Sequence, residues 1–165
     1  MSRLDSFIRR LEAQRACLDR AAALVADLPG PALEIGLGNG RTYDHLRDRL
    51  KGRAIFAFDR HVAAHPDCVP DDAYMIVGDF RATLPQAAAR VGAPAALAHC
   101  DIGSGDRAAT AALAAWLAPV LAPLLRAGAV VASDQPLATR GLAPLPLPEG
   151  VALGRYFLYR KEAEA

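Results

Sequence analysis

The stretch LEIGLGNGRTYDHL, residues 33–46, constrains this chain more than any other part of it. An apolar run enters it, Gly36, Gly38 and Gly40 alternate with other residues, and a helix-like run leaves it. Strand, glycine turn and helix in that order open a parallel α/β unit. Glycines carry no Cβ, so such a turn lets a ligand lie against the backbone. The helix that follows offers unpaired N–H groups to an anionic part of that ligand.

The rest of the chain supports an α/β reading. Leu4, Phe7, Ile8, Leu11, Leu18, Ala22 and Val25 recur at helical spacing, so residues 3–27 are expected to form an amphipathic helix with these on its core face. Ser2 and Asp5 form a capping pattern at its start, and LPGP ends it. Strands are expected at 32–36, 53–59, 73–79, 94–101 and 128–134, with a last one at 155–161. Helices are expected at 41–50, through RATLPQAAARVG, and at 104–126, where Pro119 and Pro123 interrupt the pattern. Alternation of this kind predicts a Rossmann-like, doubly wound, mostly parallel sheet flanked by helices, closed by one antiparallel C-terminal strand. The length of 165 residues suits one domain, with 1–28 as an N-terminal helix and 135–153 as a proline-rich, mostly irregular loop.

In such a sheet, ligands sit at the carboxyl ends of the strands. Those ends carry the glycine turn, then Asp59, Asp79, Asp101 and Asp134. One aspartate at a strand end is commonly a helix cap or turn former. Four in succession, one after every later parallel strand, point to a ligand that runs along the edge. The turn is not a dinucleotide fingerprint, because Arg41 stands where G-x-G-x-x-G needs its third glycine. It is not a phosphate loop either, because G-K-S/T is absent. What stands there is E-x-G-x-G-x-G, from Glu34 to Gly40.

This motif, followed by Asp59, by GDF at 78–80 and by CD at 100–101, resembles the class I methyltransferases that use S-adenosylmethionine. The resemblance spans residues 31 to about 134, and it implies that cofactor. Gly36, Gly38 and Gly40 then flank its methionine part. Glu34 lies under the turn, holding it and favouring the ammonium directly or through water. Asp59, 19 positions after Gly40, accepts from the ribose hydroxyls. Asp79 and Phe80 meet the adenine. Asn39, Thr42 and Tyr43 are placed as secondary contacts by position, and Arg60 flanks ribose or adenine or stays on the surface.

Methyl transfer from a sulfonium is an in-line displacement that the protein mainly positions and shields from water. A base is needed only where the acceptor must lose a proton. Asp101 and Asp134 are the candidates near the acceptor, with Asp101 also placed beside the cofactor's amino group. Asp134 with Gln135 is similar to the D-N pair of metal-dependent catechol-type O-methyltransferases. Gln departs from that pattern and no matching catalytic lysine is seen, so no metal is assigned. The N/D-P-P-Y-like motif of amide methyltransferases is absent. His99 reads as a hydrogen-bonded strand residue, with a general base as the alternative, Cys100 as a small buried one, and Trp116 and the tyrosines of RYFLYR as core.

A net charge of +1 disfavours nucleic acid and anionic membranes as partners. Cys17, Cys68 and Cys100 are widely spaced, without CxxC, which argues against a disulfide framework or zinc knuckle. The start MSRLDSFIRR has no apolar leader pattern, so a cytoplasmic protein is expected. AALAAWLAPVLAPLL reads as a core helix rather than a membrane span. A core this bare and apolar (53% hydrophobic) suggests a homo-oligomer and a small-molecule O or N acceptor. The alternative function is a non-catalytic sensor or scaffold that binds S-adenosylmethionine.

Overall fold

In the computed structural model, which describes residues 1–163, the chain opens with α1 (Arg3–Leu24). Its start is a capping box: Ser2 Oγ accepts from the Asp5 N–H at 3.0 Å and the Asp5 carboxylate accepts from the Ser2 N–H at 2.9 Å. Its end is fastened by Arg53, whose guanidinium donates to the carbonyls of Val25, Leu28 and Gly30.

Seven strands form one sheet in the order β3-β2-β1-β4-β5-β7-β6. They are β1 (Ala32–Ile35), β2 (Ile55–Asp59), β3 (Met75–Val77), β4 (Ala95–Cys100), β5 (Leu125–Ser133), β6 (Leu142–Pro144) and β7 (Phe157–Lys161). The first five are parallel, and β7 runs antiparallel to both β5 and β6. The order reverses between β1 and β4, which is where an open α/β sheet leaves a crevice.

Side chains of successive strand residues alternate between the two faces. Leu33, Ile35, Ala98, Cys100 and Val131 pack under α5 (Arg107–Leu121) with its Leu117 and Leu121. Ala32, Leu97, Val130 and Leu158 pack under α1 with Cys17, Leu18 and Ala21, and with Leu46 of α2 (Arg41–Arg49). Helix α5, with the turn after it, is long and apolar enough to cross a membrane by length and composition. Here Thr110, Ala114, Leu117, Ala118 and Leu121 are buried in the protein. Pro119 is tolerated within α5 because it faces outward, as does Ala115, whose carbonyl loses its partner.

Three details differ from expectation. Leu4, Phe7 and Ile8 are exposed, because the buried stretch of α1 begins only at Ala13. The helix expected from residue 81 is broken into α3 (Phe80–Thr83), a 3-10 turn containing Pro85, and α4 (Ala87–Val91). The proline-rich segment contains β6, an edge strand paired antiparallel with β7, while β7 is the one strand that runs against the rest; Pro144 is accommodated because β6 is an edge.

Candidate functional site

The carboxyl edge of the parallel strands brings the predicted residues to one side of the molecule, in two groups. The first surrounds β2 and β3. Gly38 adopts φ +52° with open space where a side chain would stand, so the turn presents bare backbone. Its N–H donates to Asp59 Oδ2 at 2.9 Å, and Asp59 Oδ1 accepts from the Arg60 N–H at 2.6 Å. Asp59 therefore ties the turn to the end of β2. An ionised carboxylate has roughly four acceptor sites, so it retains capacity for a further donor.

Asp79 caps α3, accepting from the Arg81 N–H at 2.8 Å, and pairs with Arg60 Nη2 at 2.7 Å. The Arg81 amide and then the Arg60 guanidinium hold its pKa below the ordinary carboxylate value. Phe80 begins α3 and is half-buried against the α5 side of the core. Asp59, Arg60, Gly78, Asp79, Phe80 and Leu113 line a cavity of ≈ 450 Å³. A larger one, ≈ 620 Å³, lies between α1 and residues 149–155 and touches none of the strand-end aspartates.

The second group surrounds β1, β4 and the start of β7. Glu34 and His99 are register partners on neighbouring strands, both under α1 and fully buried. His99 Nδ1 and Glu34 Oε2 are 2.8 Å apart, and Thr42 Oγ1 donates to Glu34 Oε1. On the other side of the imidazole, Nε2 bonds the Tyr156 hydroxyl. Gln14 Nε2 reaches both Tyr156 Oη at 3.3 Å and Asp101 Oδ2 at 3.1 Å. Arg10 Nη2 then pairs with Asp101 Oδ1 at 3.2 Å. A continuous polar chain thus runs from the first helix turn after the glycines to the N-terminal helix.

Burial works against a charged His99. The adjacent Glu34 carboxylate, by charge and hydrogen bond, outweighs it with help from Asp101 and Asp134, so the histidine pKa is raised. Burial also pushes the Tyr156 hydroxyl and the Cys100 thiol well above their ordinary values. Cys100 sits wholly within the core, as its sequence context suggested.

Glu34 is fully buried and bonded to Thr42 and His99, which fits its holding the turn from beneath. Thr42 serves that brace. Other expectations change. Tyr43 packs against Leu37, Ala57 and Met75 beneath the turn, with the Arg47 guanidinium over its ring. Asn39 Oδ1 accepts from the Arg41 N–H, closing the turn on itself. Asp134, considered as an acceptor-side catalyst, takes the N–H groups of Ile102 and Gly103 at 3.0 and 2.8 Å and the Gln135 amide at 3.2 Å. Burial and then the charge of Asp101 raise its pKa against these donors. It therefore reads as the anchor of the loop after β4. Gly36 and Gly40 are required by crowding: a Cβ on Gly36 would collide with the Asp101 carbonyl, and one on Gly40 with Cys68. Among the described residues no cluster of three or more His, Cys, Asp or Glu could hold a metal ion.

Arg10, Gln14 and Tyr156 were not singled out as site residues from the sequence. The signal available was Gln14 itself, a polar residue on the apolar face between Leu11 and Leu18.

The family model described as S-adenosyl-L-methionine methyltransferase matches residues 1–161. The chain belongs to this family. It uses S-adenosylmethionine and is a methyltransferase rather than a mere binder. A solved S-adenosyl-L-methionine methyl transferase from Silicibacter pomeroyi is 47% identical, with 98% of this chain and 99% of that one covered and a TM-score of 0.92. Cofactor-bound Rv0187 from MTB shares the fold at 16% identity, 97% and 91% coverage and a TM-score of 0.60. The MycE methyltransferase of the mycinamycin biosynthetic pathway, in complex with Mg and SAH, shares it at 16% identity and a TM-score of 0.54, over 87% of this chain and 44% of that one. Comparison with curated proteins finds no match.

The residues present fit the family's cofactor. At Gly38 the turn leaves open space that a side chain would fill, and the cavity beside Asp59 is of a size to take an adenosine.

Proposed function

We propose that this methyltransferase acts on a small-molecule oxygen or nitrogen acceptor, and that the whole chain forms one cofactor-binding unit. The observation that carries the reading is Asp101: its side chain, 27% exposed, is the carboxylate left accessible beside the glycine turn on the β1–β4 side. When bound, the cofactor supplies an activated methyl group; the chain binds, orients and excludes water. Gly36, Gly38 and Gly40 cradle the methionine part, braced by Glu34, Thr42 and Asn39. Asp59 takes the ribose hydroxyls. Asp79, Phe80 and Arg60 frame the adenine, with Arg60 shifting from Asp79 as the ring enters. Tyr43 wedges the turn from beneath. Asp101 faces the cofactor's ammonium and the acceptor, where it can accept a proton. Asp134 fixes the loop that follows Asp101.

Net charge of +1 supports a small acceptor over nucleic acid or a membrane surface. The exposed Leu4, Phe7 and Ile8 support self-association, which light scattering tests. Three free cysteines support a reducing, cytoplasmic setting. Incubation with labelled cofactor and a metabolite extract tests the central reading. A labelled small product is expected; label found only on protein or nucleic acid overturns it.

A further inference from the structure

We propose that Arg10 and Asp101 together clamp the zwitterionic end of the methyl donor, Asp101 taking its α-ammonium and Arg10 its α-carboxylate. Helix α1 is then a working wall of the donor site and not only a cover for the sheet. The inference rests on the reading above that the donor lies along the carboxyl edge.

The first argument is elimination among acids. Glu34 is wholly buried, and Asp134 is committed to the loop after β4, accepting from Ile102, Gly103 and Gln135. Asp59 and Asp79 belong to the β2–β3 side, around the adenosine-sized cavity. Asp101 remains, and the absence of a Cβ on Gly36 is what lets its backbone lie against the turn. A donor whose methionine part rests on that turn has its charged end at this carboxylate.

The second argument is the unused capacity of Arg10. Its guanidinium carries five N–H donors in a planar fork suited to a carboxylate. Only Nη2 is engaged, by Asp101 at 3.2 Å, and the side chain is 43% exposed. An ion pair this open contributes little to folding. A cation and an anion held side by side are complementary to a group that carries both charges on adjacent atoms, as an α-amino acid does.

The third argument is preorganisation. Gln14 is buried and donates to Asp101 Oδ2 from one side, while its amide also meets Tyr156, itself bonded to His99. Asp101 is thereby held in one orientation before any ligand arrives, which lowers the ordering cost of binding.

Calorimetric titration with three ligands separates the charges. S-adenosylhomocysteine has both groups, its decarboxylated analogue keeps only the ammonium, and 5′-methylthioadenosine has neither. Arg10→Met is expected to weaken S-adenosylhomocysteine about tenfold or more while leaving the other two within about twofold. Asp101→Asn is expected to weaken both amine-bearing ligands and spare methylthioadenosine. Retained methylthioadenosine binding shows that a variant is folded. Should Arg10→Met lose it, Arg10→Lys carries the test with the same pattern at smaller size. A variant of Arg10 that changes all three affinities alike, or none, overturns the clamp. If the unaltered protein binds none of the three, the donor's placement on this edge fails, and the clamp with it.

Discussion

The two halves of the candidate site are built in opposite ways. Around β2 and β3, Asp59, Arg60 and Asp79 are partly or largely exposed, and their partners are near in sequence, at separations of 21 or fewer. Around β1 and β4, Glu34, His99, Tyr156 and Gln14 are buried, and their mutual bonds join residues 65, 57 and 142 positions apart. The first half can take part in binding with little consequence for the fold. The second half is tied into the fold itself.

The hardest test of that contrast is Glu34→Ala. It leaves His99 buried without its carboxylate, and a loss of about 3–5 kcal/mol in urea-measured stability is expected. A loss under 1 kcal/mol, on the scale of an exposed pair, would show that the network carries no more of the fold than the exposed half does.

Tyr156→Phe and Asp59→Ala sharpen the comparison at similar size and in opposite assays. Tyr156→Phe strands polar atoms of His99 and Gln14, so about 1–3 kcal/mol of stability should disappear. Asp59→Ala should leave the urea midpoint nearly unchanged and cost about 1–3 kcal/mol of S-adenosylhomocysteine affinity. If the two variants exchange these signatures, the division drawn here is mistaken. Gly38→Val belongs with Asp59→Ala: a side chain placed at φ +52° over the turn should block ligand binding.

The smallest expected effect is on pH dependence. The folded value of His99 is raised above its unfolded value of about 6.5. Its contribution to stability is therefore fully present below the unfolded value and is lost as pH rises through the folded one. Burial opposes the charged form, and the groups that raise the value against it are Glu34 from β1 and more distantly Asp101 and Asp134, with Tyr156 facing the other ring nitrogen. Urea midpoints measured from pH 5.5 to 9 should fall across the upper part of that range, and His99→Asn should flatten the trend. An equal slope in both proteins would assign the dependence to other groups.

The difference also explains what could be read from the sequence. Gly36, Gly38 and Gly40 announce a turn by composition, and Asp59 and Asp79 announce themselves by ending apolar runs. Those signals are local, as are the bonds they make. The capping box of Ser2 and Asp5 was legible for the same reason. Gln14 and Tyr156 acquire meaning only when α1 lies across β4 and the chain returns through β7. Periodicity placed Leu4, Phe7 and Ile8 on the right helix face, but it could not show that the buried stretch begins only at Ala13. The position of Glu34 under the turn is legible from the motif; its pairing with His99 needed the parallel register of β1 and β4.

The polar chain from Thr42 to Arg10 has a consequence for the order of events during synthesis. Its members come from the first helix, the first and fourth strands, and the entry to the last strand. A nascent chain that has emerged only as far as β5 already owns the glycine turn, Asp59 and Asp79. It does not yet own Tyr156, so Gln14 and His99 have no common partner, although Arg10 and Gln14 already reach Asp101. The exposed group around β2 and β3 can therefore assemble early, whereas the buried network is complete only once Tyr156 has been made.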